Sequence, residues 1–474
     1  MTACDIGLIG LGVMGQNLVL NMADKGYQVA VYNRTTSVTE EFMAGAAADT
    51  DIVGTVDLQE LVAALNRPRS VMLMVTAGPA VDAVIEQVKP HLEEGDIIID
   101  GGNSHFENTN RRAQALSEDG IRYLGVGISG GEEGAFQGPS IMPGGHQDAY
   151  AVVGPIFEAA AAKVDGDPCV AYLGPHSAGH YVKMVHNGIE YGVMQAIAEV
   201  YHLLARGIGL DAHALHEVFA GWNEGLLDSY LMAITAEIFA RRDDRTDDPL
   251  IDVILDKAKQ HGTGRWTTQD ALNIGYPVPT ISAAVEARVI SAYKGEREAA
   301  SGRIKGPANS EFTGSREAFI EATRDALFAA ELCTYAQGMG LLRAASQAYD
   351  YDLDLAEVAR IWRGGCIIRA HFLDEFRAAY QQAPDLPNLL VAPYVMEAIT
   401  TRQAAWREVV QAAVGLGIPT PALSSALAYF DSYRSAWLPA NLIQAQRDYF
   451  GAHTYERIDD EGTFHTEWTP HQTR

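Results

Sequence analysis

The N-terminal segment restricts the fold more than any other stretch of the chain. An apolar run, Ile6 to Ile9, leads directly into Gly10-Leu-Gly12-Val-Met-Gly15. A segment of helical period then reaches about Lys25 and stops at Gly26, and a second apolar run follows from Val29 to Tyr32. Strand, glycine turn, helix and parallel strand within about 30 residues is the spacing of a dinucleotide-binding βαβ unit. In such a unit Gly10 permits the tight turn, Gly12 lets a pyrophosphate approach the backbone at the helix N-terminus, and Gly15 lets the helix pack closely on its strand.

The runs Val71 to Val75, Ile97 to Asp100 and Tyr123 to Val126 read as further buried parallel strands, alternating with helical patterns. The expected fold class is an α/β Rossmann-type doubly wound domain over 1–178, followed by a large all-helical domain. From about His180 the strand runs cease, and Ala/Leu/Glu-rich segments of helical period take over, so the boundary falls near Gly174 to Gly179. The helical part is expected over 179–439. A C-terminal tail, 440–474, is polar and aromatic and reads as lacking helical period.

The helical part echoes itself. Ala205-Arg-Gly-Ile-Gly-Leu210 returns as Ala336-Gln-Gly-Met-Gly-Leu341, and Glu217-Val218 with Trp222 returns as Glu357-Val358 with Trp362. Gly275-Tyr-Pro-Val-Pro279 with Ser282 returns as Gly417-Ile-Pro-Thr-Pro421 with Ser424. Three echoes in one order, offset by about 130 to 140 residues, imply an internal repeat, about 179–305 and 306–439. What both copies keep is scaffold; what one copy alone holds is a candidate for function.

Composition narrows the function classes. The chain has 474 residues, 47% hydrophobic and 20% charged, enough for a large core and more than one domain. Asp and Glu outnumber Lys and Arg 61 to 35, a formal charge of -26, which disfavours nucleic acid and anionic lipid as partners. An anionic substrate would need a locally positive site. Cys4, Cys169, Cys333 and Cys366 are widely spaced with no CxxC pair, and no basic leader or 18-residue apolar run is present. Reduced thiols and a cytoplasmic location are expected, with no membrane association.

Four stretches carry candidate chemistry. The second strand ends in Tyr32-Asn33-Arg34-Thr35, with a guanidinium where an NAD enzyme places a carboxylate, which favours NADP. Asp100-Gly-Gly-Asn103-Ser104 and Gly127-Ile-Ser129-Gly130-Gly131 sit at strand ends, where open α/β sheets bind ligands, and Asn103 and Ser129 suit a polyhydroxylated molecule. Lys183, His186, Asn187 and Glu190 fall at i, i+3, i+4 and i+7 of the first long helix and therefore share a face. A lysine so placed can serve as a general base if a closed site lowers its pKa. The second repeat has Gly314 and Ala318 at the positions of Lys183 and Asn187, and Phe430 at that of Arg288.

The segments GLGVMGQN, NRT, GGNS, ISGGEEGA, GPSIMPGG, KMVHNGIEY, GTGRWT, IWRGGCIIR and AQRDYFGAHTYE resemble the decarboxylating 6-phosphogluconate dehydrogenases of the β-hydroxyacid dehydrogenase superfamily, and they span residues 10 to 456. The resemblance implies NADP-dependent oxidation of 6-phosphogluconate at C3, loss of CO2 and protonation of the enediol to ribulose 5-phosphate, without a metal. It implies Lys183 as general base and Glu190 as the acid at C1. It places Gly10, Gly12, Met14, Gly15, Asn33, Arg34, Thr35, Val75 and Asn103 at the cofactor. It gives the substrate a cradle of Asn103, Ser129, Gly130, Gly131, His186, Asn187 and Tyr191, with His261, Thr263, Arg288, Arg447 and His453 as further ligands. It also implies a homodimer in which the tail reaches the neighbouring subunit's site.

One position departs from the family pattern. His261 stands where the family carries lysine, so a fixed ammonium gives way to an imidazole, the side-chain type that changes charge between about pH 5 and 8. Phosphate affinity is expected to weaken as pH rises, unless Lys257 or Lys259 compensates. Two other readings stay open: a related β-hydroxyacid dehydrogenase for a small unphosphorylated acid, and a non-catalytic NADP-binding protein. The repeated helical half and the Arg447 to His453 tail speak against the first; Lys183 and Glu190 speak against the second.

Overall fold

The computed structural model describes residues 3–307 and 311–468. Its N-terminal part is a seven-stranded sheet in the order β3-β2-β1-β4-β5-β6-β7. The strands are β1 (Ile6–Ile9), β2 (Val29–Tyr32), β3 (Val53–Gly54), β4 (Ser70–Leu73), β5 (Ile97–Asp100), β6 (Arg122–Ser129) and β7 (Ser140–Gly145). The first six are parallel, and β7 runs antiparallel to β6. Strands β1, β4 and β5 are buried along their whole length, which is why they read as unbroken apolar runs. The chain order reverses between β1 and β4, where doubly wound sheets bind ligands.

Helices α1 (Val13–Asp24), α2 (Thr36–Ala44), α3 (Leu58–Ala63), α4 (Pro79–Val88), α5 (Phe106–Ser117), α6 (Gly131–Gln137) and α7 (Gln147–Ala160) accompany the sheet. The core on one sheet face joins Leu8, Val31 and Ile99 to Leu18 and Met22 of α1. The core on the other face joins Ile9, Leu73 and Ile98 to Leu61, Ile85 and Leu116 of α3, α4 and α5.

The sequence reading needs four corrections here. The strand expected over Val71 to Val75 ends at Leu73, so Val75 belongs to the loop. The strand expected over Tyr123 to Val126 continues to Ser129, which makes Gly127 and Ser129 strand residues. β7 was not anticipated because Pro143 and two glycines hide it; proline is tolerated there because β7 is an edge strand. The tail, read as lacking helical period, opens with a helix from Ala440 to Gly451.

After a short hairpin of β8 (Lys163–Val164) and β9 (Asp167–Pro168), the chain is helical: α8 (Ala178–His202), α9 (Ala212–Asn223), α10 (Tyr230–Ala240), α11 (Leu250–Val253), α12 (Thr263–Ile274), α13 (Pro279–Ser291), α14 (Lys294–Ser301), α15 (Arg316–Ala348), α16 (Leu355–Ile361), α17 (Leu373–Gln382), α18 (Pro393–Leu416), α19 (Pro421–Tyr433) and α20 (Ala440–Gly451). The chain forms two compact units, Met1–Ala426 and Leu427–Arg474. In the first, α8 and α15 are the central helices, and α8 packs on α12, α13 and α15 as well as on β6 and β7. In the second, α20 carries the fully buried Asp448, and a bridge joins Tyr455 to Phe464. No helix among the described residues is long and apolar enough to cross a membrane.

The middle of α15 holds a buried carboxyl, Glu331, whose Oε1 has no hydrogen-bond partner among the described residues. Burial pushes its pKa up to about 8. The folded state therefore binds this proton more tightly than the unfolded state does, and stability declines as pH rises from the ordinary carboxyl value towards 8. Glu331→Gln is expected to remove that slope. At about 1.4 kcal/mol per pH unit, its advantage over the native chain should grow by roughly 3–5 kcal/mol between pH 4.5 and 8 in denaturant titrations. Parallel stability curves for the two proteins would refute it.

Candidate active site

The glycine turn after β1 is shaped by close contacts. Gly10 has φ 107, and a Cβ there would collide with the Met74 carbonyl and lie 3.1 Å from Val75 Cγ1. A Cβ at Gly15 would collide with the Gly10 carbonyl, whereas one at Gly12 would meet nothing within 4 Å. Gly12 thus faces open space at the N-terminus of α1. Met14 is half-buried against the sheet core and Val75 against the core of the opposite face. Asn33 Oδ1 accepts the Leu11 N–H at 3.1 Å, and its Nδ2 donates to the Thr35 carbonyl at 3.1 Å, tying the end of β2 to the glycine turn. Arg34 and Thr35 are exposed, and Arg34 makes no ion pair among the described residues.

Beyond β5, Asp100 organises the loop that carries Asn103. It is fully buried, and its carboxylate accepts from Gly102 N (3.1 Å), Ser104 Oγ (2.6 Å), Tyr123 OH (2.9 Å) and Arg112 Nη1 (3.3 Å). Arg112 also grips Asp82 through Nε and Nη2 at 2.9 and 3.0 Å and donates to the Gly78 carbonyl. The buried His180 of α8 donates from Nε2 to the Asp100 carbonyl (3.0 Å) and accepts from Thr109 Oγ1 (2.6 Å). Burial lowers its pKa, consistent with a neutral ring.

Glycines bring α8 against the sheet. A Cβ at Gly179 would collide with the carbonyls of Gly125 and Met142, and one at Gly127 would collide with Lys183 Cβ and lie 2.9 Å from its Cγ. The stem of Lys183 therefore rests directly on β6, and Lys183, together with Asn103, Ser104, His180, Met184, Thr263 and Trp266, lines one gap.

The stripe on α8 converges as its spacing predicts. Lys183 Nζ lies 3.5 Å from His186 Nδ1, and that Nδ1 is 3.0 Å from Asn187 Oδ1. His186 Nε2 is 3.3 Å from Ser129 Oγ, and Asn187 Nδ2 donates to Thr263 Oγ1 at 3.2 Å. Glu190 Oε2 is 4.0 Å from His186 Nδ1. Burial lowers the Lys183 pKa against the opposing pull of Glu190 and Cys366. His186 is driven well below its ordinary value by burial and then by Lys183. Burial raises the Glu190 pKa, against Lys183 and Arg288. One dry environment thus favours a neutral amine and a protonated carboxyl side by side.

Arg288 of α13 stacks on the Tyr191 ring, its Cζ 3.5 Å from the centroid. Gly264 also lies close against this ring, where a Cβ would come within 2.6 Å of it. Thr263 opens α12, and His261 is exposed just before it. Gly130 and Gly131 have φ 133 and 67 and turn the chain from β6 into α6. Arg447 and His453 lie in the C-terminal unit, on and just after α20, and both are exposed.

Models of both halves of one family match the chain. The "NAD binding domain of 6-phosphogluconate dehydrogenase" covers residues 5–174, and "6-phosphogluconate dehydrogenase, C-terminal domain" covers 179–468. The chain belongs to the 6-phosphogluconate dehydrogenase family. It is 56% identical over 468 residues to the NADP(+)-dependent, decarboxylating 6-phosphogluconate dehydrogenase of Bacillus subtilis, covering 99% of this chain and 100% of that one. It is 51% identical to the decarboxylating enzyme of Escherichia coli, with 99% and 100% covered. The structure superposes on Plasmodium falciparum 6-phosphogluconate dehydrogenase with a TM-score of 0.95 at 47% identity, covering 98% of this chain and 100% of that one. That enzyme is described in its apo form, with NADP+ and with 6-phosphogluconate.

Within this family member, sequence reasoning missed Asp100 and Arg112 as organisers of the Asn103 loop, and Trp266, whose ring meets His105 edge-on at 5.0 Å. Asp100 was legible only as the end of a strand; Arg112 gave no signal at all. The glycine contacts make a prediction. Gly127→Ala is expected to cost about 1–3 kcal/mol by forcing α8 off β6, whereas Gly12→Ala should cost no more than about 1 kcal/mol, as a poorer N-cap. Denaturant titration of both variants checks this, and equal costs would contradict it.

Proposed function

We propose that the chain oxidises and decarboxylates 6-phosphogluconate to ribulose 5-phosphate and CO2 with NADP. The observation that carries this reading is the dry cluster of Lys183, His186, Asn187 and Glu190, set against the Asn103 and Ser129 loops, in a chain whose relatives bear that activity over their full length. The dinucleotide fits the N-terminal part: open space above Gly12, an exposed Arg34 without an ionic partner among the described residues, and no carboxylate at the end of β2. Gly10, Gly12, Met14, Gly15, Asn33, Arg34, Thr35, Val75 and Asn103 would hold it, with Arg34 on the 2'-phosphate. Bound there, NADP supplies the hydride acceptor.

The residues of this chain would then act in order. Neutral Lys183 takes the proton of the C3 hydroxyl as the alcohol is oxidised. The resulting ammonium, held in a water-poor gap, polarises the new carbonyl and gives the departing CO2 an electron sink. The enediol left by loss of CO2 is then protonated at C1 by Glu190 while its hydroxyl proton returns to Lys183, which gives ribulose 5-phosphate. Asn103, Ser129, Gly130, Gly131, His186, Asn187 and Tyr191 orient the hydroxyls and carboxylate, while His261, Thr263 and Arg288 attract the phosphate.

The proposal extends to organisation: a nucleotide domain over 1–178, two helical repeats over about 179–305 and 306–439, and a tail from 440. Gly275 and Gly417 support the repeat, because both cap a helix with φ near 70 and both precede a helix opened by proline, α13 and α19. A homodimer is supported by exposed apolar surface. Val253, Ile254, Leu255, Val289, Ile290 and Tyr293 line a cleft of about 1290 Å³, and Leu442, Ile443, Tyr449 and Phe450 of α20 are also exposed.

Two experiments test the reading. Initial rates with 6-phosphogluconate and NADP should show reduced cofactor and CO2 appearing together, with a bell-shaped pH profile whose limbs belong to the Lys183–Glu190 pair. Lys183→Ala should abolish both products. Glu190→Gln should leave a single limb that rises with pH, because only the neutral fraction of Lys183 then limits the rate. Tight NADP binding without turnover would favour a non-catalytic protein instead. For the tail, Lys183→Ala and Arg447→Ala chains are combined in one mixed dimer. Activity restored at one of its two sites is expected if the tail works on the neighbouring subunit, and no restoration overturns that arrangement.

A further inference from the structure

Helix α6 begins at Gly131, immediately after the Ser129–Gly130 turn of the proposed substrate cradle, yet it has almost no apolar anchor. Its sequence is Gly-Glu-Glu-Gly-Ala-Phe-Gln; Ala135 is its one buried side chain, and Phe136 is 51% exposed. A short helix without an apolar face must be located by other means. Two amides of α1 supply them. Asn17 Nδ2 donates to the Glu132 carbonyl at 2.8 Å, and Asn21 Nδ2 donates to the Ala135 carbonyl at 3.1 Å and to the Ala160 carbonyl of α7 at 2.9 Å. Asn21 is buried, and its Oδ1 has no hydrogen-bond partner among the described residues, so the residue is used there as a double donor. On the other side Gly130 lies against the Gly365 carbonyl, 2.8 Å from where a Cβ would stand.

We infer that Asn17 and Asn21 are positioning residues that set the Ser129–Gly131 cradle from α1, the helix whose N-terminus faces the proposed pyrophosphate site, so that cofactor and substrate binding are coupled through α6. Asn17 and Asn21 stand one helical turn apart on α1 and span both ends of α6. A small shift of α1 on cofactor binding is therefore passed to Gly131 by hydrogen bonds rather than absorbed by apolar packing, which tolerates sliding. The inference rests on the proposed dehydrogenase reading. A side chain just beyond the end of α1 whose hydroxyl bonds to α7 serves as a control: Tyr27 OH donates to the Pro155 carbonyl at 2.9 Å.

The experiment uses the full-length chain and begins with the unmodified protein, because failure of that protein to oxidise 6-phosphogluconate would overturn the dehydrogenase reading rather than the tie. Calorimetry then gives the Kd for 6-phosphogluconate with and without saturating NADP. Asn17→Ala, Asn21→Leu and Tyr27→Phe are compared by the same titration, by the KM for each substrate and by thermal melting. Asn17→Ala is expected to raise the KM for 6-phosphogluconate about fivefold with the KM for NADP unchanged. It should also bring the ratio of the two Kd values towards one. Tyr27→Phe should change neither. Asn21→Leu should act in the same direction as Asn17→Ala if it folds; Asn17, being only half-buried, keeps the test independent of that outcome. The inference fails if Asn17→Ala lowers the melting temperature while leaving KM and the Kd ratio as in the unmodified chain, or if Tyr27→Phe reproduces its effect.

Discussion

The packing of α8 on β6 and β7 is the constraint on which the rest of the site depends. A helix of ordinary composition would stand well clear of the sheet, held off by its Cβ atoms and those of the strands. Here Gly125, Gly127, Gly144 and Gly179 remove the atoms that would separate them. The helix backbone comes within contact of the strand backbone, and Lys183 has nowhere to place its stem except along β6. The amine is thereby fixed beside His186 and shielded from water. Glycine is used for what it omits, so a single added methyl at Gly127 acts on the proposed base through space rather than through chemistry.

Desolvation then does opposite things to the two titratable groups on one helical face. It lowers the pKa of Lys183 and raises that of Glu190, because in each case the neutral form is the cheaper one to bury. Their mutual attraction works against this and favours the charged pair. Burial is the first cause in both shifts, so the neutral pair gains ground as the site closes. The intervening His186 is neutral for the same reason, so it can accept from Ser129 and donate to Asn187 without adding charge. Shifts in these two directions favour the proposed roles, an amine that accepts a proton during the oxidation and a carboxyl that gives one to the enediol.

How much of this the sequence announces depends on how local each cause is. The βαβ unit and the α8 stripe are legible because their determinants lie within a few helical turns: glycines at fixed spacing, and polar residues at i, i+3, i+4 and i+7. Strands β1, β4 and β5 are legible because burial on both faces makes them apolar throughout. Strand β7 is not, because an edge strand can carry Pro143, and the same glycines that permit α8 to dock erase its apolar pattern. The Asp100 hub is invisible for a different reason. Its donors come from Gly102, Ser104, Arg112 and Tyr123, and only the fold assembles them. The helix α20 was misread because its large apolar residues are few, Leu442 and Ile443 with Tyr449 and Phe450 seven positions on, in an otherwise polar stretch; all four are exposed.

The C-terminal unit shows how such a segment can still be ordered. Asp448 is fully buried and accepts from Thr454 N (3.0 Å), His465 Nδ1 (2.8 Å), Thr466 N (3.0 Å) and Trp468 Nε1 (2.8 Å). One carboxylate thus gathers the end of α20, the turn after it and the returning strand-like segment. Ala452 and Thr454 adopt positive φ on either side of His453, a conformation that non-glycine residues hold only when their surroundings impose it. The imidazole of His453 and the guanidinium of Arg447, adjacent to Asp448 in sequence, are therefore presented from a folded clip. Ordering such a clip in advance removes much of the entropy loss that a floppy tail would suffer on reaching a neighbouring subunit. That suits the tail to the proposed role of completing a phosphate site in a neighbouring subunit of a strongly acidic protein, where basic side chains held in fixed positions have to outweigh repulsion from the rest of the surface.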